Sequence, residues 1–190
     1  MRKTRLEAFS DGVIAILITI MVLELRPPHD VDWQSLRGVL PNFLAYLMSF
    51  VFLGIYWNNH HHLLQTADRV NGAILWANLH MLFWLSLTPF ATAWLGENPL
   101  AVAPCALYGI VLLGSAAAYT LLQATIMRKH GAESTLKFAI GTDAKGKIST
   151  AAYIAAIGAA FIEPRLALAI YIAVAITWLV PDRRIERLYD

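Results

Sequence analysis

The chain is short of charge. Asp, Glu, Lys and Arg make up 15% of its 190 residues, against about 25% in soluble domains. That scarcity leaves too few polar side chains to cover a surface facing water. Cysteine is almost missing too: Cys105 stands alone, so no intramolecular disulfide can form, and the thiol reads as a small hydrophobe in an apolar stretch. No span carries regularly spaced arginines, which argues against a strong voltage sensor, and there is no internal repeat or low-complexity tract. No small-x-small cleavage site follows the first apolar run. The chain continues Glu24-Leu25-Arg26-Pro27-Pro28, so an uncleaved first span is expected and not a secretory signal. The net charge of +2 is no sign of nucleic-acid binding, because the basic residues sit in loops, and no nucleic-acid partner is expected.

What is present is apolar surface. Hydrophobic residues form 58% of the chain and the mean hydropathy is +0.55, the composition of an integral membrane protein with short loops. Crossing about 30 Å of hydrocarbon takes around 20 apolar residues. Runs of that kind predict an all-α, six-transmembrane-helix protein, one domain over 1–190, with helices at about 6–25, 41–64, 72–95, 99–127, 148–162 and 165–180. The last two divide one apolar stretch at Glu163-Pro164-Arg165. Pro99 or Pro104 is expected in the first turn of the fourth helix. The segment 32–39 reads as a short interfacial helix with Trp33 at headgroup depth, and 129–147 as the longest connection.

Orientation follows from lysine and arginine. Arg2, Lys3, Arg5, Arg69, Arg128, Lys129, Lys137, Lys145, Lys147, Arg183, Arg184 and Arg187 fall on the side of the termini, leaving Arg26, Arg37 and Arg165 on the other. Both termini are expected in the cytoplasm, in a multi-pass protein of a prokaryotic plasma (inner) membrane.

Polar residues collect at one depth. The first helix opens with Arg5, Phe9, Ser10 and Asp11 before an apolar run to Leu23. An acid at mid-helix costs roughly 2.5–3.5 kcal/mol on insertion scales and less near the interface, so Asp11 needs a partner or a place on an ion path. The second helix descends to the same level with Trp57-Asn58-Asn59-His60-His61-His62, and the third rises past Asn78 and His80. A polar cap near the headgroups would account for this. The sharper reading is a hydrogen-bond latch among Arg5, Ser10, Asp11, Trp57 and His60 that orients the first helix. Consecutive histidines fan out by about 100° each and cannot share one ion, so neither a metal nor a cofactor is expected.

At 100° per residue, Gly12, Thr19, Ile20 and Leu23 lie within about 60° of Ile16, whereas Asp11 is about 140° away and Ser10 about 120°. Spacing alone describes an ordinary lipid-facing or core stripe.

The motifs carry more. Arg5-x-x-x-Phe9-Ser10-Asp11 resembles the R-x-x-x-F-S-D signature on the first helix of the endosomal/lysosomal potassium channel family, transmembrane protein 175. Tyr56-Trp57-Asn58-Asn59-His60-His61-His62-Leu63 resembles its second-helix Y-W-x-N-H-H-x-L, with His62 where many relatives have arginine. The third helix is also similar, while helices four to six match mainly in number and length. The resemblance implies a homotetramer whose four first helices line a pore without a T-V-G-Y-G filter, a loop this sequence lacks. It implies an apolar gate at Ile16, a hydroxyl selectivity layer at Thr19 and a second apolar ring at Leu23. It also implies potassium and other monovalent cations as permeant partners, beside the lipid bilayer and further copies of the chain. The expected function is thus a potassium-preferring cation channel and not an enzyme. Besides a nonconducting structural protein, two rivals stay open on the residues alone. One is a proton leak or secondary transporter using Asp11 and the histidines. The other is a membrane oxidoreductase with quinone or haem.

Overall fold

The computed structural model describes residues 3–67, 69–130 and 144–179, and within them the architecture is all helix. In chain order the helices are α1 Lys3–Leu23, α2 Leu36–Gln65, α3 Gly72–Ser86, α4 Thr88–Glu97, α5 Val102–His130, α6 Ala144–Ala160 and α7 Pro164–Leu179. Many of these residues are β-branched and favour strands in water. In hydrocarbon an unpaired backbone group is so costly that a helix, which satisfies its own, is the accessible solution.

Four spans are long and apolar enough to cross a membrane: Lys3–Leu23, Leu36–Gln65, Gly72–Glu97 and Val102–Arg128. The third of these contains both α3 and α4. Pro89 has no N–H for the carbonyl four residues back and its ring crowds that turn, so the span breaks at Leu87. There the chain tightens, with Leu87 N donating to the Trp84 carbonyl at 3.2 Å. The expected helix 72–95 is therefore a jointed pair. α6 and α7 are shorter, at 17 and 16 residues, and form a hairpin against α5. Its corner is set by Glu163, whose carboxylate accepts from Arg165 N at 3.2 Å, and by Pro164 at the first helical position, where a missing N–H costs nothing.

Other boundaries differ from expectation. The segment 32–39 is no separate interfacial helix. Ser35 N donates to Asp32 Oδ1 at 2.8 Å, closing a turn, and 36–39 already belong to α2. Pro99 lies outside α5, in a turn where Ala101 N donates to the Asn98 carbonyl at 3.2 Å and Leu100 takes φ 67°. Pro104 is the proline of α5's first turn. The long connection shrinks at both ends, because α5 reaches His130 and α6 opens at Ala144. Positions 131–143 lie outside the described residues, as do Arg2 and the last basic cluster.

The core falls into two clusters. In one, Leu6, Ile14 and Leu17 of α1 pack with Leu63 and Leu64 of α2, Ile74 and Met81 of α3, and Leu122 of α5. In the other, Phe52, Ala91, Tyr108, Tyr153 and Tyr171 join α2, α4, α5, α6 and α7. Two glycines permit close approach. A Cβ on Gly114 would enter the Trp84 indole, and one on Gly109 would strike the Tyr171 hydroxyl, which donates to the Cys105 carbonyl at 3.1 Å.

Candidate functional site

α1 has two unlike faces. Leu6, Ser10, Ile14, Leu17 and Met21 are buried against the rest of the chain. On the opposite face Arg5, Phe9, Gly12, Ile16, Thr19 and Leu23 recur at alternating intervals of four and three, and all are exposed. Ile16 is 56% exposed and Leu23 76%, and nothing lies within 4 Å of a Cβ built on Gly12. Such spacing places one stripe along a helix and suits a helix–helix seam. The residues expected as gate and selectivity layer thus share the bare face.

Thr19 is set up in a particular way. Its hydroxyl donates to the Ile16 carbonyl at 2.9 Å. With the proton engaged in the helix, the oxygen offers only lone pairs to whatever stands in front of that face.

The buried side of α1 holds a hydrogen-bond chain. His60 of α2 is 1% exposed, and Ser10 and Asn78 are 0%. His60 Nε2 lies 2.7 Å from Asn78 Oδ1, and since an amide oxygen only accepts, this nitrogen carries the proton. Asn78 Nδ2 donates to Ser10 Oγ at 2.9 Å, and Ser10 Oγ donates to the Leu6 carbonyl at 2.9 Å. One directed chain therefore runs from α2 through α3 into α1. It leaves His60 Nδ1 buried without a hydrogen-bond partner.

Asp11 is tied separately. Trp57 Nε1 donates to Asp11 Oδ1 at 3.1 Å, near the surface. The expected five-residue latch is thus two units, and two signature residues belong to neither. Arg5 and Phe9 stand on the Ile16 face, because eleven and seven residues at 100° each bring them back to within about 20° of it. Among the described residues no ion pair or hydrogen bond holds the Arg5 side chain. Lys3 is the cation that ties α1 down: its Nζ donates to the Gln65 carbonyl at 2.9 Å, at the negative end of α2.

Asn78 is the member that sequence reasoning left out of the latch. The signal was available, since a lone amide inside the apolar run Leu75-Trp76-Ala77-Asn78-Leu79 needs partners wherever it is buried. The other histidines diverge. His61 pairs with Gln65 at 2.8 Å, and His80 accepts from Trp84 Nε1 at 3.0 Å. Among the described residues no three His, Cys, Asp or Glu side chains converge as a metal would require.

Comparison with known proteins meets this geometry at the same helices. The family model described as endosomal/lysosomal potassium channel TMEM175 matches residues 5–89. A protein from Chryseobacterium sp. named as a potassium channel is 56% identical over 98% of this chain and 97% of its own length. The human endosomal/lysosomal proton channel TMEM175 is 34% identical over 47% of this chain and 20% of its own. Among solved structures, a lysosomal potassium-selective channel TMEM175 homolog from Chamaesiphon minutus superposes with a TM-score of 0.80. It is 28% identical, over 95% of this chain and 97% of that one. A near full-length relative, a shared fold and a match that begins at Arg5 agree: this multi-pass membrane protein belongs to the TMEM175 family of ion channels.

Proposed function

We propose that four copies of this chain assemble with α1 around a common axis and conduct monovalent cations, potassium preferred, across a prokaryotic inner membrane. The observation that carries this reading is the division of α1. Every hydrogen-bonded polar side chain it sends to its own bundle lies off the Ile16 stripe, and the stripe has no cover among the described residues. A ring of four Ile16 side chains would be narrow and apolar, closing by dewetting. Four Thr19 oxygens, their protons already engaged, would face the ion as neutral acceptors. Leu23 would form a second apolar ring one turn on.

Neutral hydroxyls replace only part of a hydration shell, so the preference for potassium over sodium is modest. The names of the bacterial relatives support potassium as the cargo. The lysine and arginine asymmetry supports cytoplasmic termini, which would set Asp11 and Ser10 at the depth of the inner mouth, behind the pore-facing stripe. The Ser10–Asn78–His60 chain and the Asp11–Trp57 bond then hold the angle of α1, and a small rotation of that helix would wet the Ile16 ring.

Planar-bilayer recording of the purified protein under opposed potassium and sodium gradients tests this. A unitary current reversing near the potassium potential is expected from a tetrameric particle. A monomer in lipid, or no current, would refute it.

Proton conduction is the second reading. The unpartnered Nδ1 of His60 is a buried acceptor beside the α1 network, and the vertebrate relatives are named proton channels. A pH-gradient dye assay in potassium-free liposomes separates the two, because only proton conduction dissipates the gradient there.

A further inference from the structure

A groove of about 580 Å³ opens between α2 and α7, with Leu95 and Pro99 also on its lining. One wall is the α2 stretch from Leu40 to Val51, the other the α7 stretch from Leu168 to Leu179. Its floor is lowered by two small residues, Ala45 and Ala175, both buried. Among the described residues the one charged residue on its lining is Arg37, in the first turn of α2. We propose that this groove binds one acyl chain of an anionic glycerophospholipid, with the lipid phosphate on the Arg37 guanidinium.

Length argues for an acyl chain. Eleven residues separate Leu40 from Val51, about 16 Å at 1.5 Å per residue, against about 15 Å for one leaflet of a 30 Å core. Charge argues for an anionic head. The guanidinium is exposed and, among the described residues, has no ion pair. It lies one turn beyond the apolar wall, where a lipid carries its phosphate, and its fork of donors suits phosphate oxygens. With a lone cation at this level, the net negative charge of phosphatidylglycerol favours it over zwitterionic phosphatidylcholine.

A second copy of the chain fits the groove less well. α7 packs on α2, α5 and α6, whereas α1 packs on α2, α3 and α4. Copies gathered around the bare stripe of α1 would leave the α2–α7 groove to the lipid. That exclusion rests on the axis proposed above; the argument from length and charge does not.

The test uses the full chain in detergent, with phosphatidylglycerol and phosphatidylcholine added in turn and read by native mass spectrometry and melting temperature. Phosphatidylglycerol should bind more tightly and raise the melting temperature further. Arg37→Ala should weaken it about tenfold, the scale of one lost charge-assisted hydrogen bond, and weaken phosphatidylcholine, whose choline offsets the phosphate charge, by less. Arg37→Lys should restore most of the difference. Ile176→Trp, at an exposed position on the groove wall, should displace the lipid without changing the oligomeric state. Equal binding of both lipids to wild type and Arg37→Ala would overturn the proposal. A photo-crosslinker at position 176 that labels a second copy and no lipid would do the same. The same spectra report subunit number. A monomer still holding phosphatidylglycerol through Arg37 would refute the channel assembly while supporting the lipid site.

Discussion

Asn78 joins α3 to α1 by donating its side-chain N–H to Ser10 Oγ at 2.9 Å, and both residues are fully buried. Its carbonyl oxygen simultaneously accepts from His60. One amide thereby connects three helices at the level where α1 begins its apolar run.

Removing either partner of that contact should strand a buried polar group. Asn78→Ala leaves the His60 N–H unpaired, and Ser10→Ala leaves an Asn78 N–H unpaired, at about 1–2 kcal/mol each. Melting of the single and double variants in detergent measures this. The double variant should cost less than the sum, giving a coupling of about 0.5–2 kcal/mol; additive losses would show that the amide and hydroxyl act independently.

Asp11→Asn and Asp11→Ala should part company. Asparagine keeps an oxygen for the Trp57 N–H, so assembly should survive; alanine removes the acceptor and should reduce the yield of assembled particles or abolish current. Size-exclusion profiles and bilayer currents read the difference. Normal assembly and conduction in Asp11→Ala would remove Asp11 from the positioning of α1.

Ile16→Ala or Ile16→Asn should raise open probability or conductance in a flux assay, since a wider or wetter ring no longer excludes water. Because Ile16 is uncovered in the single chain, neither change opens a cavity in the core, and expression should hold. Unaltered flux would count against the gate.

Thr19→Val preserves shape and deletes the oxygen. Discrimination between potassium and sodium should fall, read as a shift in reversal potential under opposed gradients. The lost Thr19–Ile16 hydrogen bond is local to one helix, so melting should change little.

Gly114→Ala should destabilise by about 1–3 kcal/mol through overpacking. The added methyl collides with the Trp84 ring, which His80 holds in place through its Nε2. Trp84→Leu in the same background should recover part of the loss, and melting curves of the pair would show it.

Hydropathy already announced four long spans, because the hydrocarbon thickness imposes a length that composition either meets or misses. The 100° step of a helix likewise placed Ile16, Thr19 and Leu23 on one side of α1, and Ser10 and Asp11 on others, before any neighbour was known. Partner choice was beyond such arithmetic. Arg5 lies in the same signature as Asp11, yet their side chains leave the helix in different directions, so Asp11 meets its expected partner Trp57 while Lys3, outside the expected latch, ties α1 to α2. Asn78 shares a depth with His80, but only its own side of α3 meets α1 and α2. The break at Leu87, the start of α2 at Leu36 and the groove beneath Arg37 arise in the same way. Periodicity says which side chains share a face, whereas the packing of one helix on the next decides what that face meets.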